Sequence, residues 1–513
     1  MHNRDVAEML DRAARILALR GENRYRVRAY KRAARAVISA PEEIEQLIRK
    51  NRLQSLEGVG SGLAAKIKEI VRTGKLPLLE RLETGKLPPL EQNRQIMLAS
   101  ALTLVSELIP QLKELSGVGR VEVTGDVRRS REMVSEVAVV VGADDLAAAR
   151  ESFKQSDFLH QLSWDGNFCR AIHSYGIPVA LYLVHRDDFC LTHWVTTGSK
   201  NHVQKVAAAI EKVTGHDLLS QEAKTMPHSF MEEEEIYELA EMSYVPPELR
   251  EDAGELTAAA KGALPALITA DQYRGDLHVH TDWSDGTADV EKMVKAAAEL
   301  GYEYLAVTDH SRTLKIARGL SLERLAEQKK FIASLQEKYP NIRILAGIEA
   351  DILDDGSVDA PDEVLSGLDV VVASVHSGFR QSRQKLTQRI CRAMQNKYVQ
   401  IIGHATGRLL GKRDPYDVDV EELIRTAAGT GTVLEINSSP DRLDINGDYA
   451  RRAKETGVKI AINTDAHSQL ELANVGLGIA TARRGWLTAE NVVNTRSASD
   501  LLPLLQRKKL NRQ

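Results

Sequence analysis

Apolar residues recur at helical spacing from Val6 to Leu19 and from Ile44 to Leu56, with no strand pattern between residue 1 and about 86. Another helical stretch follows at about 90–115. The period then changes: RVEVTGD, SEVAVVVGA and IPVALYLVH read as strands. MEEEEIYELAEMSYVPPELREDAGEL is acidic and then proline-bearing, which predicts a helix running into a linker. From about Asp271, apolar runs and helical stretches alternate: GDLHVHT, YLAVTDH, RILAGIEA, VVVASVH, VQIIGHA, TVLEIN and KIAINTDAH. Such alternation predicts parallel strands with outer helices and a barrel-like closure. The expected chain is a multidomain α/β protein with domains at 1–88, 89–245 and 271–513 and a linker at 246–270.

Composition narrows the class. At 513 residues, 43% hydrophobic and 27% charged, the chain can bury several ordinary cores. Its net charge of −4 excludes a uniformly basic DNA-coating protein but permits a local basic patch. Three cysteines cannot build a disulfide framework, so a reducing cytoplasm is expected. No apolar run approaches the roughly 18–20 residues that span a bilayer, and no signal core follows the charged N-terminus, so neither secretion nor a membrane partner is expected.

The chemistry gathers in the last half. His278, His280, His310, His376, His404 and His467 each stand at the C-terminal end of one of the seven runs. In parallel α/β folds that edge is where functional groups collect. Asp285, Glu349 and Asp465 stand in the same places. His278 and His280 are two residues apart on a strand, so both rings face one side; Asp465 and His467 repeat the spacing. Mixed imidazole and carboxylate ligands suit Zn, Mn or Fe, and nine of them exceed what one ion needs. Metals that acidify water and neutralise phosphoryl oxygen make phosphoester hydrolysis the natural reaction class.

The series HVH, SDG, TDH, GIE, SVH, GHATGRLLGKRDPYDVD, LEIN and NTDAH resembles the polymerase-and-histidinol-phosphatase (PHP) family, in the form found at the C-terminus of bacterial family X DNA polymerases. The resemblance covers about 271–490 and implies a distorted (β/α)7 barrel holding three Mn2+ or Zn2+ ions. It implies one ion on His278, His280, Glu349 and Asp465, and a second on Asp285, His310 and His467. A third would lie on Glu349, His376 and His404, with Glu349 bridging. It further implies 3′–5′ exonuclease and 3′-end processing activity. Ala405 departs from the family's usual proline, and Arg408 and Lys412 are candidates to hold substrate phosphates.

At the other end, LEGVGSGLAAKI reads as a helix–hairpin–helix, in which Gly58 and Gly60 permit the tight turn and its amides can take a phosphate without reading sequence. The run RYRVRAYKRAARAV brings Arg24, Arg26, Arg28, Lys31, Arg32 and Arg35 together with no acid between them, a nucleic-acid footprint. Together they resemble the all-α lyase domain of family X polymerases, in which Lys66 matches the Schiff-base lysine. The middle region resembles the α+β nucleotidyltransferase core of the same family. Its three metal-binding carboxylate positions, however, read Glu136, Ala138 and Ala180, Asp126 replaces the usual serine, and LSGVGRVEV runs straight into a strand where a second hairpin motif is expected. One carboxylate cannot hold two Mg2+ ions, so this core is expected to be inactive in polymerisation and to position DNA.

The expected function is a DNA repair 3′–5′ exonuclease acting on gapped, nicked or 3′-recessed DNA without sequence preference, as a cytoplasmic monomer. A small-molecule phosphatase of the histidinol-phosphate type and a non-enzymatic repair scaffold are the alternatives.

Overall fold

The basic run forms one helix, Arg24–Ile38, because Val27, Tyr30, Ala33, Ala34 and Val37 fall on one buried face. It packs on the preceding helix, Asn3–Leu19, which buries Val6, Leu10, Ala13, Ala14 and Leu17. Further on, Gly58 adopts φ +78° and Gly60 stands at the N-cap of the helix Ser61–Thr73. A Cβ on Gly58 would meet Arg32 Cβ at 3.1 Å, so the hairpin lies directly against the basic helix. The computed structural model describes residues 1–22, 24–83, 95–219 and 230–510.

A five-stranded sheet follows, with β1 Val118–Thr124, β2 Val137–Ala143, β3 Leu159–Asp165, β4 Phe168–His173 and β5 Pro178–His185. The order is β1-β2-β5-β4-β3; β2 and β5 run parallel and the other neighbours antiparallel. The apolar runs of β1, β2 and β5 are the strands that the sequence predicts. β3 and β4 escape that reading because their outer positions are polar or charged, as in LHQLSWD. The chain divides into two compact units, Met1–Ala263 and Leu264–Gln513. Most of the expected linker, 246–263, therefore belongs to the first unit. There Arg250 and Glu255 are fully buried, because each finds a partner of opposite charge or a ring nitrogen.

In the second unit, β6 Gly275–Val279, β7 Tyr304–Val307, β8 Arg343–Asp351, β9 Val370–Ser374, β10 Ile401–Ile402, β11 Val433–Asn437 and β12 Ile460–Asn463 stand side by side in sequence order, all parallel. A bridge between Val279 and Ala466 joins the first strand to the end of the last, nearly closing the barrel. Strand alternation sorts the side chains. Ile344, Ala346 and Ile348 join the large outer core under the helices. Leu277, Ala306, Leu345, Val372, Ile401, Val433 and Ala461, drawn from all seven strands, form a separate inner cluster with Leu501 and Leu505 of the last helix. That inner layer is apolar; continuing the same alternation toward the strand C-termini reaches Glu349, His376, Glu435 and Asp465. Crossover helices open on the side-chain caps Asp289, Ser321, Ser382, Asp419 and Asn446.

Candidate metal centre

Glu349, at the C-terminal end of β8, stands at the middle of the histidine cluster. Its Oε1 lies 3.1 Å from His404 Nε2, 3.3 Å from His376 Nε2 and 3.5 Å from His278 Nε2. Its Oε2 lies 2.7 Å from His310 Nδ1 and 3.6 Å from His280 Nε2. Asp465 Oδ1 lies 3.0 Å from His280 Nε2 and 3.8 Å from His278 Nε2. Asp285 approaches His467 at 3.2 Å and His310 at 3.6 Å. The fold thus brings all nine residues singled out in the sequence into one connected cluster. Asp285, His310 and His467 form a group with His280, which also joins His278 and Asp465; His310, Glu349 and His376 form another. His280 therefore faces two groups, where the resemblance assigns it to one.

The supporting residues were not singled out in the sequence. Glu435 accepts from His278 Nδ1 at 2.8 Å, from Asn463 Nδ2 at 2.9 Å and from the His404 amide at 2.8 Å. An ionised carboxylate can only accept, so His278 donates through Nδ1, and Nε2, which faces Glu349, is the nitrogen left for an ion to take. Asp351 does the same for His376, at 2.5 Å from Nδ1. Asn437 donates to Asp465 Oδ2 at 3.0 Å. Two of the nine residues have left-handed backbone, His404 at φ +28° and Asp465 at φ +54°. This costs roughly 1–3 kcal/mol at a non-glycine residue and is offset by the surrounding hydrogen bonds. The available signal for Glu435 was its place in LEIN, an acid inside an otherwise apolar strand run.

Burial alone would push Glu349 up; the facing rings of His376, His310 and His278 instead hold it well below the ordinary carboxylate range. Asp465 is likewise burdened by burial and drawn far down by His278 and His280. Burial opposes charge on His376 and His467, yet Glu349 and Asp351 raise the first to about 10, and Asp285 and Asp465 raise the second to about 9. Burial, with His467 and His310 beside it, pushes His280 down to about 3. The carboxylates thus present buried negative charge that protons on rings, or a cation, must balance.

The donor set fits divalent cations. His278 Nε2, both nitrogens of His280 and His404 Nδ1 are buried and make no hydrogen bond, although carboxylate oxygens approach two of these rings closely. A neutral ring has one lone-pair nitrogen, and His278 Nε2 and His280 Nε2, set against carboxylate oxygens without hydrogen-bond alignment, are what an ion of mixed N/O preference takes up.

The other residues singled out in the sequence fall elsewhere. Arg408 is buried, with Nε 2.8 Å from the Arg442 carbonyl and a second contact to the Leu443 carbonyl; it braces a loop instead of facing a substrate phosphate. Lys412 pairs with Asp441 at 3.0 Å. Arg26, Arg28, Lys31, Arg32 and Arg35 are exposed on the outer face of their helix, and the side chain of Arg24 lies outside the described residues. Lys66 is half-buried with Nζ 5.9 Å from the Tyr30 ring centre. In the middle sheet, Ala138 and Ala180 are direct partners across β2 and β5, and Arg170 of β4 stands opposite Ala180. Half-buried Glu136 is pushed up by its burial, against the pull of Arg170. Arg128 is bound bidentately to Glu233, at 2.5 and 3.1 Å, and Arg129 pairs with Asp126 and Glu251. Ser199 caps the helix Lys200–Thr214.

Comparison with known proteins identifies domains at both ends of the chain. A helix-hairpin-helix domain model matches residues 1–76 and a PHP domain model matches residues 276–439. The DNA polymerase/3′-5′ exonuclease PolX of Bacillus subtilis (strain 168) is 32% identical over 99% of this chain and 100% of its own length. The chain belongs to the PolX family. Its PHP part is also similar to shorter proteins. A probable phosphatase of Thermoanaerobacter sp. (strain X514) is 31% identical over 43% of this chain and 89% of the relative. One from Caldanaerobacter subterraneus subsp. tengcongensis is 29% identical over 46% and 91%. Asp465 and His467 lie beyond the matched PHP stretch, yet the fold returns them to its centre. Among the described residues, no helix of this PolX family member is long and apolar enough to cross a membrane.

Proposed function

We propose that this chain is a metal-dependent phosphodiesterase that shortens DNA from the 3′ end, using the cluster around Glu349, and that it does not add nucleotides. The observation that carries the reading is the convergence of five imidazoles on the two oxygens of one buried carboxylate, Glu349. His278, His280, Asp285, His310, Glu349, His376, His404, Asp465 and His467 would hold Mn2+ or Zn2+, three ions in all. Bound there, such ions acidify a water and neutralise charge on phosphate oxygens. The chain's own residues fix the donors: Glu435 and Asp351 hold the rings of His278 and His376 in one tautomer, and Asn437 orients Asp465.

Residues 1–88 would grip gapped, nicked or 3′-recessed DNA through its phosphates. The exposed basic face of Arg24–Ile38 and the uncapped first turn after Gly60 support this. Half-buried Lys66 beside the Tyr30 ring supports lyase chemistry as a secondary role of this region. Residues 89–245 would position the duplex. Loss of nucleotide addition is supported by the Ala138–Ala180 pairing and by Arg128 and Arg129 already bound to acids of the same unit. The similarity to probable phosphatases supports a second reading, hydrolysis of a small phosphomonoester.

The test is 5′-labelled, singly gapped DNA with Mn2+, with and without deoxynucleoside triphosphates, beside a His278→Ala/His280→Ala double variant. Shortening by the unaltered protein alone, with no extension, is expected. Extension would overturn the inactive-core reading. Hydrolysis of phosphomonoesters without shortening of DNA would favour the phosphatase.

A further inference from the structure

Arg170 belongs to no sequence motif, yet it stands in line with the two missing carboxylates of the middle sheet. Strand pairing sets Arg170, Ala180 and Ala138 side by side across β4, β5 and β2, with Ser163 of β3 beyond Arg170. The neighbouring row is Phe168, Tyr182 and Val140, with Asp165 beyond Phe168. Residues two apart on a strand share a face, so both rows project to the same side of the sheet. Arg170 outreaches the two alanines of its row, whose side chains end at Cβ. It is exposed, and among the described residues its guanidinium enters no ion pair; it lies over the Phe168 ring, with Cζ 5.1 Å from the ring centre. Phe168 and Tyr182 are half-buried, with ring centres 4.9 Å apart and planes inclined by 36°. Burial raises the Tyr182 hydroxyl, and the charges of Glu136 and Arg170 reach it in opposite senses.

This face has changed sign. Carboxylates at positions 138 and 180 would repel a phosphate unless metal ions stood between them. With alanine at both positions and a guanidinium in the same row, the face can take a phosphate directly, through paired N–H donors that need no metal. The aromatic row adds a second element. Every base has a π-face, and aromatic side chains beside a cation accept bases without regard to sequence. Phosphate and base together make one nucleotide. Deepening the reading that residues 89–245 position DNA, we propose that this face of β4 and β5 is a metal-independent nucleotide-binding site, with the phosphate on Arg170 and the base against Phe168 and Tyr182. No bond is made or broken there, and Arg170 exchanges no proton with its ligand.

The experiment uses the full-length protein in EDTA, so that no metal ion takes part and no strand is cut. Two photoreactive probes are compared: a short single strand of DNA ending in 5-iododeoxyuridine, and free 5-iododeoxyuridine monophosphate. After irradiation the labelled peptides are mapped by mass spectrometry, beside the variants Arg170→Gln and Arg170→Lys. The DNA strand is expected to label Phe168 or Tyr182. Arg170→Gln should lower that yield about tenfold or more, the scale of one lost charge-assisted contact, and Arg170→Lys should fall between the two. Labelling of the same residues by the free nucleotide and not by the strand would keep the site and make its ligand a mononucleotide. Labelling that Arg170→Gln leaves unchanged would overturn the site as described. Labels elsewhere in 89–245, with none on β4 or β5, would overturn the site and leave the positioning reading standing. An absence of labels from all of 89–245 would overturn both.

Discussion

Glu435 Oε1 accepts the Nδ1 proton of His278 at 2.8 Å, in a site where both residues are fully buried. That single contact decides which nitrogen of His278 is offered to the cluster. Removing the charge by Glu435→Gln lets the ring choose its tautomer and weakens the hold on the His404 amide. The expected loss of Mn2+ affinity is about 10–100-fold, read by calorimetry. Unchanged affinity would mean that strand geometry alone fixes the ring.

Chelation should destabilise the chain. Without a cation, only protons on the facing rings balance buried Glu349 and its neighbour Asp465, and a ligand bound to the native state alone raises stability by mass action. Thermal melts with excess Mn2+ and with EDTA should differ by several degrees in the unaltered protein. In His278→Ala/His280→Ala the difference should shrink toward zero.

Glu233, in the first unit, gives a pH signature of its own. Burial alone would raise it, but Arg250 and Arg128, at 2.5 Å each, hold it at about 2. A depressed carboxylate contributes stability that is complete above its ordinary value of about 4.5 and is lost as pH falls toward about 2. The contribution at neutral pH is on the order of 3 kcal/mol. Glu233→Gln should therefore lower the urea midpoint at pH 7 and flatten its dependence below pH 5, because buried Arg250 is left without its counter-charge. A variant with the same acid-limb slope as the parent would refute the assignment.

The basic helix should act through charge alone. Arg28, Lys31 and Arg35 are exposed on one helix whose apolar face is spent in the core. Replacing all three by alanine should weaken DNA binding equally across sequences and reduce the salt slope of log K by about 2–3. Melting temperature should barely move. A sequence-dependent loss would point to base contacts instead.

The sequence by itself determined the elements and the chemistry of this protein. Seven apolar runs, six of them carrying site histidines or acids near their C-terminal ends, are local patterns, and so are the amphipathic helices and the two alanines in place of carboxylates. Alternation along β8 puts Glu349 on the inner face whatever its neighbours are. β3 and β4 were not legible, because their outward positions are polar and leave no apolar run to read. Only the tertiary structure decided which residues meet. It set Glu435 behind His278 and Asp351 behind His376, committed Arg408 to a loop, and turned Arg442 toward Asp465. These pairings join residues from about 20 to 160 positions apart. They depend on the order in which parallel strands close the barrel, a property of packing that no stretch of local pattern contains.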